Sequence, residues 1–209
     1  MKIGINLVGI TYGDVRGRNW ETTKDNLMST VINCWNDNEV KTYLTTYDNP
    51  TINDLVSFYE PTKLTLIPYE GSDQRTTYIK SLKELIDEDL DIIISTRFDI
   101  EFNKQLSENN IDFNKFNFFF REANGWWERH LFTNDALFIF NKKYLKDFID
   151  SVVEFDTNPY RPPNHKDLHP TYRYLIPKIG EENIHFILKT QHLTHRNPHY
   201  KLIRTGTWQ

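Results

Sequence analysis

The sequence lacks several features that mark secreted, membrane-spanning or nucleic-acid-binding proteins. Cys34 is the one cysteine, so no intrachain disulfide can form, and a reducing cytoplasm is compatible with this composition. No apolar run approaches the ~20 residues that span a bilayer. The formal net charge of −4 lacks the basic excess that is usual in nucleic-acid binders. We therefore predict a cytoplasmic protein with no membrane segment and no nucleic-acid partner.

The composition is that of a folded protein rich in aromatic side chains. Its 209 residues are 38% hydrophobic and 14% aromatic, enough to build the core of one α/β domain. The first half alternates predicted strands and helices, an order that favours a mostly parallel sheet with right-handed crossovers. Strands are predicted over 3–8, 39–46, 63–67 and from 92 onward, and helices over 20–35, 51–59 and 73–86, the last capped by Ser72 or Asp73.

The second half changes this regular alternation. Strands are predicted over 116–120, 137–140 and 184–188, and helices over 143–155 and 172–176. No internal repeat, linker or low-complexity block interrupts the chain. We therefore predict a single domain over 1–209.

The segment around residue 97 is the most informative of the chain. The run 92–94 predicts a strand buried on both faces, as at the centre of a parallel sheet. Ligands of open α/β sheets bind at the carboxyl ends of such strands. Arg97, Asp99 and Glu101 would share one side of an extended continuation, because side chains alternate along a strand. This set suits a phosphate group and a divalent metal, or equally a solvated strand end with a surface ion pair.

Polar residues at three other predicted element ends are candidates for nucleotide binding. The loop between Gly9 and Gly13 lacks both the dinucleotide fingerprint and the P-loop signature, so it is either an approach for a nucleotide base or a simple turn. Asp48 either accepts hydrogen bonds from a ribose or base, or forms the turn before the next proline. Gln74 and Arg75 lie in the first turn of a predicted helix, where an anion such as a diphosphate is favoured.

The second half supplies candidates for acid–base chemistry and for sugar stacking. Asp135 precedes a predicted strand and is either a general base for a hydroxyl or a strand-start cap. The pair Trp126-Trp127 is interpreted first as packing, and otherwise as a surface for a sugar face. The spacing of His192, His195 and His199 matches no zinc signature, so we interpret them as surface histidines.

Three segments carry a resemblance to a known family: Lys2-Ile3-Gly4-Ile5-Asn6-Leu7, Asn33-Cys34-Trp35 and Ile94-Ser95-Thr96-Arg97-Phe98-Asp99. The chain resembles the GT-A type glycosyltransferases, and more narrowly the amino-terminal domain of chlorella-virus glycosyltransferases that decorate the capsid. The resemblance runs over nearly the whole chain. It implies a Rossmann-type α/β fold with a mostly parallel central sheet flanked by helices. A nucleotide-binding half at about 1–102 would precede an acceptor-side half at about 103–209 that contains a smaller β region, and a viral protein would act in the host cytoplasm.

The resemblance also implies roles for individual residues. Donor contacts would come from Gly9, Thr11, Asp48, Gln74 and Arg75, and the position of Arg97 after the buried strand adds it as a contact to the phosphates. Asp99 would hold Mn²⁺ or Mg²⁺ on the diphosphate, and Asp135 would lie near the acceptor. One departure matters, because Arg97 replaces the first acid of the usual Asp-x-Asp motif. Either the motif is 97–99 and metal binding is weak, or it is 99–101 and the metal site is shifted by two residues.

The leading hypothesis is an enzyme that transfers a hexose or deoxyhexose from a UDP-linked sugar to a glycan hydroxyl, in capsid glycoprotein glycosylation. Asp135 would be the general base of an inverting reaction, or an acceptor-binding residue if configuration is retained. A sugar nucleotidyltransferase is disfavoured, because the first loop lacks the glycine-rich, basic signature for a triphosphate. The third hypothesis is a non-catalytic carbohydrate-binding or virion interaction module, which Arg97 keeps open.

Overall fold

A seven-stranded, mostly parallel sheet forms the centre of the described part of the chain. The computed structural model describes residues 1–13, 17–35, 37–68, 70, 73–157 and 167–203. The strands are β1 (Lys2–Val8), β2 (Glu39–Tyr47), β3 (Lys63–Ile67), β4 (Ile92–Arg97), β5 (Ile100–Phe102), β6 (Phe116–Phe118), β7 (Arg121–Glu122), β8 (Leu137–Asn141), β9 (Ile184–Phe186), β10 (Gln191–His192) and β11 (Tyr200–Leu202). The central sheet has the order β3-β2-β1-β4-β8-β6-β9, and β8 alone runs antiparallel to its two neighbours. The short strands pair separately, β10 with β7 and β11 with β5.

Helices cover both faces of the central sheet. They are α1 (Lys24–Leu27), α2 (Ile52–Tyr59), α3 (Gln74–Lys83), α4 (Trp126–His130), α5 (Leu145–Thr157) and α6 (Thr171–Ile179). On one face, Ile5 of β1 shares a core with Leu27 of α1 and Leu55 of α2. On the other face, Tyr78 of α3 and Phe148 of α5 belong to a second core. The predicted α/β class is confirmed, and none of the described helices is long and apolar enough to cross a membrane.

The long helix predicted over 20–35 is divided into three pieces. A 3₁₀ turn at Trp20–Thr22 precedes α1, and a π-helical segment follows at Met28–Ile32. The Ser29 and Thr30 hydroxyls donate hydrogen bonds to carbonyls four residues back, at 2.9 and 2.7 Å. Such back-bonding hydroxyls perturb helices, and these two lie within the π-helical segment.

The other predicted elements differ mainly at their ends. The strand predicted over 63–67 is correct as β3, whereas β6 ends two residues before the predicted 120 and α5 begins two residues after the predicted 143. Asp73 caps α3, because its side chain accepts a hydrogen bond from the Thr76 backbone N–H at 2.9 Å. The alternative cap, Ser72, lies outside the described residues.

The strand order places a topological switch point beside β1. From β1 the chain builds β2 and then β3 on one side, whereas β4 pairs on the other side. Val8 lies opposite Arg97, so the loops that follow β1 and β4 begin side by side and then diverge. Because β8 runs antiparallel to β4, its first residue Leu137 lies opposite Thr96 at the same edge. Ligands of open α/β sheets bind in the crevice that such an edge creates.

A buried polar network holds this edge in place. The Asn6 amide donates a hydrogen bond to the Ser95 hydroxyl of β4 at 3.0 Å, and its carbonyl accepts one from the Ser81 hydroxyl of α3 at 2.7 Å. All three side chains are almost completely buried. Asn6 of β1 therefore links this strand to β4 and to the covering helix α3.

We predict that Asn6→Ala destabilises the protein by about 1–3 kcal/mol, because two buried hydroxyls lose a partner that water cannot replace. The measurement is urea unfolding followed by circular dichroism. Asn110→Ala, which truncates an exposed asparagine, is the matched control and should leave stability unchanged. Equal stabilities for the two variants would contradict a structural role for the Asn6 network.

Candidate active site

An ion pair between Arg97 and Asp99 forms the centre of the candidate site. β4 ends at Arg97, and a turn replaces the extended continuation before β5 begins at Ile100. The Arg97 guanidinium donates from Nε to Asp99 Oδ1 at 2.9 Å and from a terminal nitrogen to Oδ2 at 2.7 Å. This is the parallel two-bond geometry in which guanidinium and carboxylate interact most strongly.

A second arginine contacts the same carboxylate. Arg18, in the loop that follows β1, places its Nε 3.2 Å from Asp99 Oδ2. The side chains of Arg18 and Arg97 are 12% and 11% exposed, compared with 4% for Asp99. The carboxylate is therefore the most enclosed group of the three.

The metal predicted at Asp99 does not fit this arrangement. Both Asp99 oxygens face guanidinium groups, which occupy the positions that a cation would need. Glu101, the second acid of the shifted motif, lies on β5 opposite Lys201 of β11. The described residues contain no group of three His, Cys, Asp or Glu side chains suited to a metal ion. Neither form of the motif thus provides a site for Mn²⁺ or Mg²⁺ in this geometry.

Asp135, the predicted acceptor-side carboxylate, lies at the same sheet edge. It precedes β8, and the antiparallel pairing of β8 with β4 carries it back toward Arg97. The Gln74 side-chain amide, from the first turn of α3, donates to Asp135 Oδ2 at 3.0 Å. Burial opposes the charge of the Arg97 guanidinium, but Asp99 and Asp135 together raise its pKa. Arg97 is therefore a cation held between two carboxylates.

A histidine completes the site on the far side of Asp135. The His169 Nε2 lies 3.8 Å from Asp135 Oδ1, and Nδ1 lies 2.7 Å from the Thr133 carbonyl oxygen. A carbonyl only accepts, so Nδ1 carries a proton and Nε2 is the nitrogen that faces Asp135. Glu122 lies 3.7 Å from Nδ1, and it accepts a hydrogen bond from the Thr194 backbone N–H at 3.1 Å.

The local charges determine the protonation of this group. Burial alone would lower the pKa of His169, but Asp135, Asp167 and Glu122 raise it to about 8. Burial also raises the pKa of Glu122, an effect that His169 and Thr194 oppose. At neutral pH the imidazole is therefore mostly charged and is paired with Asp135.

The loop after β1 is tied to the end of β2. The Gly9 N–H donates to the Thr45 carbonyl at 3.0 Å, and the buried Thr11 hydroxyl bonds the Thr46 hydroxyl at 2.9 Å. Gly9 has φ +121°, which favours glycine, and a Cβ built there would meet nothing within 4 Å. The chain thus leaves open space beside the Gly9 backbone. Asp48, just after β2, is exposed at the carboxyl end of that strand.

Arg75 does not join this group in its described contacts. Its guanidinium is completely buried and lies 5.0 Å from the Phe155 ring centroid of α5 and 3.4 Å from Asp73. These contacts attach the start of α3 to α5, while the neighbouring Gln74 reaches Asp135. The sequence placed Gln74 and Arg75 together at the start of the helix. In the structure, Gln74 contacts Asp135, whereas Arg75 packs against Phe155 and Asp73.

Three residues of the site were not identified from the sequence. Arg18 follows a loop whose path the sequence did not define, and Glu122 and His169 come from segments that β8 and α6 bring together. His169 belongs to a stretch rich in proline and histidine, which was the one available signal. Of the three tail histidines interpreted as surface residues, His195 is exposed. His192 and His199 are half-buried, with ring centroids 5.0 Å apart, and they pack on Phe120 and Phe119.

Aromatic rings connect the site to the surface. Trp126 of α4 is 43% exposed and stacks on Phe132 with ring centroids 5.6 Å apart and planes within 1°. Phe132 in turn stacks on His169 at 6.1 Å and 17°. The rings of Trp126, Phe132 and His169 therefore form a ladder, and its inner end contacts Asp135. The partner tryptophan, Trp127, packs on Tyr172 and Phe186 instead.

We predict that His169 titrates with a pKa of about 8 and that Asp135→Asn lowers this value, because it removes a negative charge beside Nε2. NMR of the imidazole signals against pH measures both values. Since the folded pKa exceeds the usual 6.5, the stability from this pairing is complete below pH 6.5 and is lost as pH rises through 8. Asp54→Asn, at an exposed carboxylate, should leave the titration in place; an unchanged pKa in Asp135→Asn would contradict the pairing.

No family model matches the sequence, and no curated protein matches it. Among solved structures, it is similar to a nucleoside-diphosphate-sugar pyrophosphorylase from Vibrio cholerae RC9, with 13% identity and a TM-score of 0.49 over 91% of each chain. A similarity this distant assigns neither an activity nor a substrate to the present chain.

Proposed function

We propose that the protein is a glycosyltransferase that moves a hexose or deoxyhexose from a UDP-linked sugar to a glycan hydroxyl. One observation carries the proposal: at the switch point, Arg97 lies between Asp99, which also contacts Arg18, and Asp135, which pairs with the partly buried His169. Glycosyl transfer needs both parts, since a diphosphate leaves with growing negative charge and a hydroxyl loses its proton.

The donor half of the proposal uses the loops that follow β1, β2 and β4. The Arg97 guanidinium would stabilise the departing diphosphate, because preorganised cations lower the energy of charge that develops in the transition state. The open space beside Gly9 would admit the nucleotide, with Thr11 holding the loop on β2. The exposed Asp48 would accept hydrogen bonds from the ribose or base.

The acceptor half of the proposal uses Asp135. In an inverting reaction the acceptor oxygen bonds to the anomeric carbon as the bond to the diphosphate breaks, and Asp135 takes the hydroxyl proton. The Gln74 amide fixes one carboxylate oxygen, and His169 lies at the other. If configuration is retained, the same contacts make Asp135 an acceptor-binding residue.

The aromatic ladder supplies a surface for the acceptor sugar. Carbohydrate rings present apolar C–H faces, which pack well on flat aromatic side chains. Trp126 is the exposed end of the ladder, and Phe132 and His169 connect it to Asp135. An acceptor stacked on Trp126 would extend toward the carboxylate that receives its proton. The capsid glycan predicted from the viral resemblance is one such acceptor and stays a prediction.

We predict that Asp135→Asn lowers the rate of transfer from UDP-sugars by about 10²–10⁴-fold if Asp135 is the general base, because an amide cannot take the proton. The measurement is product formation from a panel of UDP-sugars with glycan acceptors, alongside titration with UDP. UDP binding should persist in the variant, and Asp54→Asn should be as active as the parent protein.

Two other functions are distinguished by the same assays. Formation of a UDP-sugar from UTP and a sugar phosphate, without transfer, would indicate a nucleotidyltransferase. Glycan binding without any turnover would indicate the non-catalytic module. Full activity of Asp135→Asn would leave an acceptor-binding or purely structural role for Asp135.

We predict that Trp126→Ala raises KM for the acceptor about 3–10-fold with little change in KM for the donor, because a stacking contact contributes about 0.5–1.5 kcal/mol. Steady-state kinetics with each substrate varied in turn measures this split. Leu66→Ala removes an apolar side chain of β3 that is exposed to a similar degree, 46% compared with 43%, and should change neither constant. Equal effects on both substrates would argue against an acceptor role for the ladder.

A further inference from the structure

We propose that Arg18 and Arg97, held in place by Asp99, form a diphosphate-binding site that works without a divalent cation. This inference rests on the proposed function and replaces the metal that the sequence predicted at Asp99. It assigns Arg18 to the donor site, a residue that sequence reasoning had not singled out. Asp99 then positions the two arginines and does not act as a metal ligand.

The Asp99 carboxylate already contacts two cations. Two nitrogens of Arg97 contact its two oxygens at 2.9 and 2.7 Å, and Arg18 lies 3.2 Å from Oδ2. A metal that bound Asp99 would have to displace these contacts and would then lie beside two positive charges. Divalent cations also need several hard oxygen ligands, and the described residues group no three metal-binding side chains together.

The two arginine side chains are more exposed than the carboxylate that they contact. Asp99 is 4% exposed, whereas Arg18 and Arg97 are 12% and 11% exposed. Two cations thus contact the Asp99 carboxylate, and Arg97 has Asp135 as a second anionic neighbour. The guanidinium groups are the more exposed members, so an anion that approaches from solvent would meet them before it meets Asp99, although the whole chain has a formal charge of −4.

The two arginines lie at or after the ends of neighbouring strands of the sheet. Arg97 ends β4, and Arg18 belongs to the loop after β1, so they come from the two strands that border the switch point. A guanidinium offers a rigid fork of donors that matches phosphate oxygens, unlike the point charge of a lysine. A diphosphate in this crevice would therefore meet a donor group from each side, with open space beside Gly9 for the nucleoside.

The test is isothermal titration of the full chain with UDP and with inorganic pyrophosphate, once in EDTA and once in Mn²⁺. We expect both probes to bind in EDTA, and Mn²⁺ to leave the Kd of UDP unchanged. Arg18→Gln should weaken both probes about 10–100-fold, since it removes a charge-assisted contact. Arg18→Lys, which keeps the charge but loses the fork, should give an intermediate Kd, and Arg173→Gln on α6 should bind like the parent protein.

The possible outcomes separate this inference from the proposed function. UDP binding that requires Mn²⁺, or an Arg18→Gln variant that is folded by circular dichroism and binds normally, would overturn the cation-free site. Sugar transfer in that case would still support the glycosyltransferase. Conversely, UDP and pyrophosphate that bind in EDTA without any sugar transfer would support the anion site and reject the proposed activity.

Discussion

The ion pair between Asp99 and Arg97 is the interaction on which the candidate site depends. A buried charge is tolerated only with a partner, and removal of one partner from such a pair is far more costly than its formation is favourable. Here the carboxylate accepts two parallel hydrogen bonds from Arg97 and also contacts Arg18. The pair closes the turn after β4, so the chain cannot continue as the straight strand that the residue alternation suggested. Glu101 is consequently carried onto β5, opposite Lys201.

Much of the fold was predictable, because its causes are local. Apolar runs bounded by turn residues predicted every strand of the central sheet, and the alternation of strands and helices predicted its parallel half. The division of the 20–35 helix was not predictable from the apolar stripe. The π-helical piece contains Ser29 and Thr30, whose hydroxyls bond backbone carbonyls inside the helix. The apolar stripe of residues 20–35 indicates which face is buried, but it does not indicate which backbone hydrogen bonds form.

The candidate residues that lie at strand ends could be predicted from the sequence. Arg97 and Asp99 follow a buried strand and Asp135 precedes another, so each was identified as a candidate from its position alone. Their assembly depends on the antiparallel pairing of β8 with β4, which no local pattern encoded. His169 is further removed, because it reaches Asp135 only after the chain has passed through α5 and returned. Long-range placement of this kind is the part of a site that one sequence does not contain.

The charges of the site follow an order that composition conceals. From the loop after β1 toward α6, the groups are Arg18, Asp99, Arg97, Asp135 and His169, alternately positive and negative. Each buried charge has an opposite neighbour, which lets the row persist in a poorly solvated place. Arg97 belongs to both halves, since Asp99 and Asp135 both raise its pKa against the effect of burial. Two further acids, Glu122 and Asp167, act on His169 at the inner end of the row, so the arginine end is the part of the site suited to an anion. The net negative charge of the chain therefore argues against a general nucleic-acid binder and leaves room for a site for one small anion.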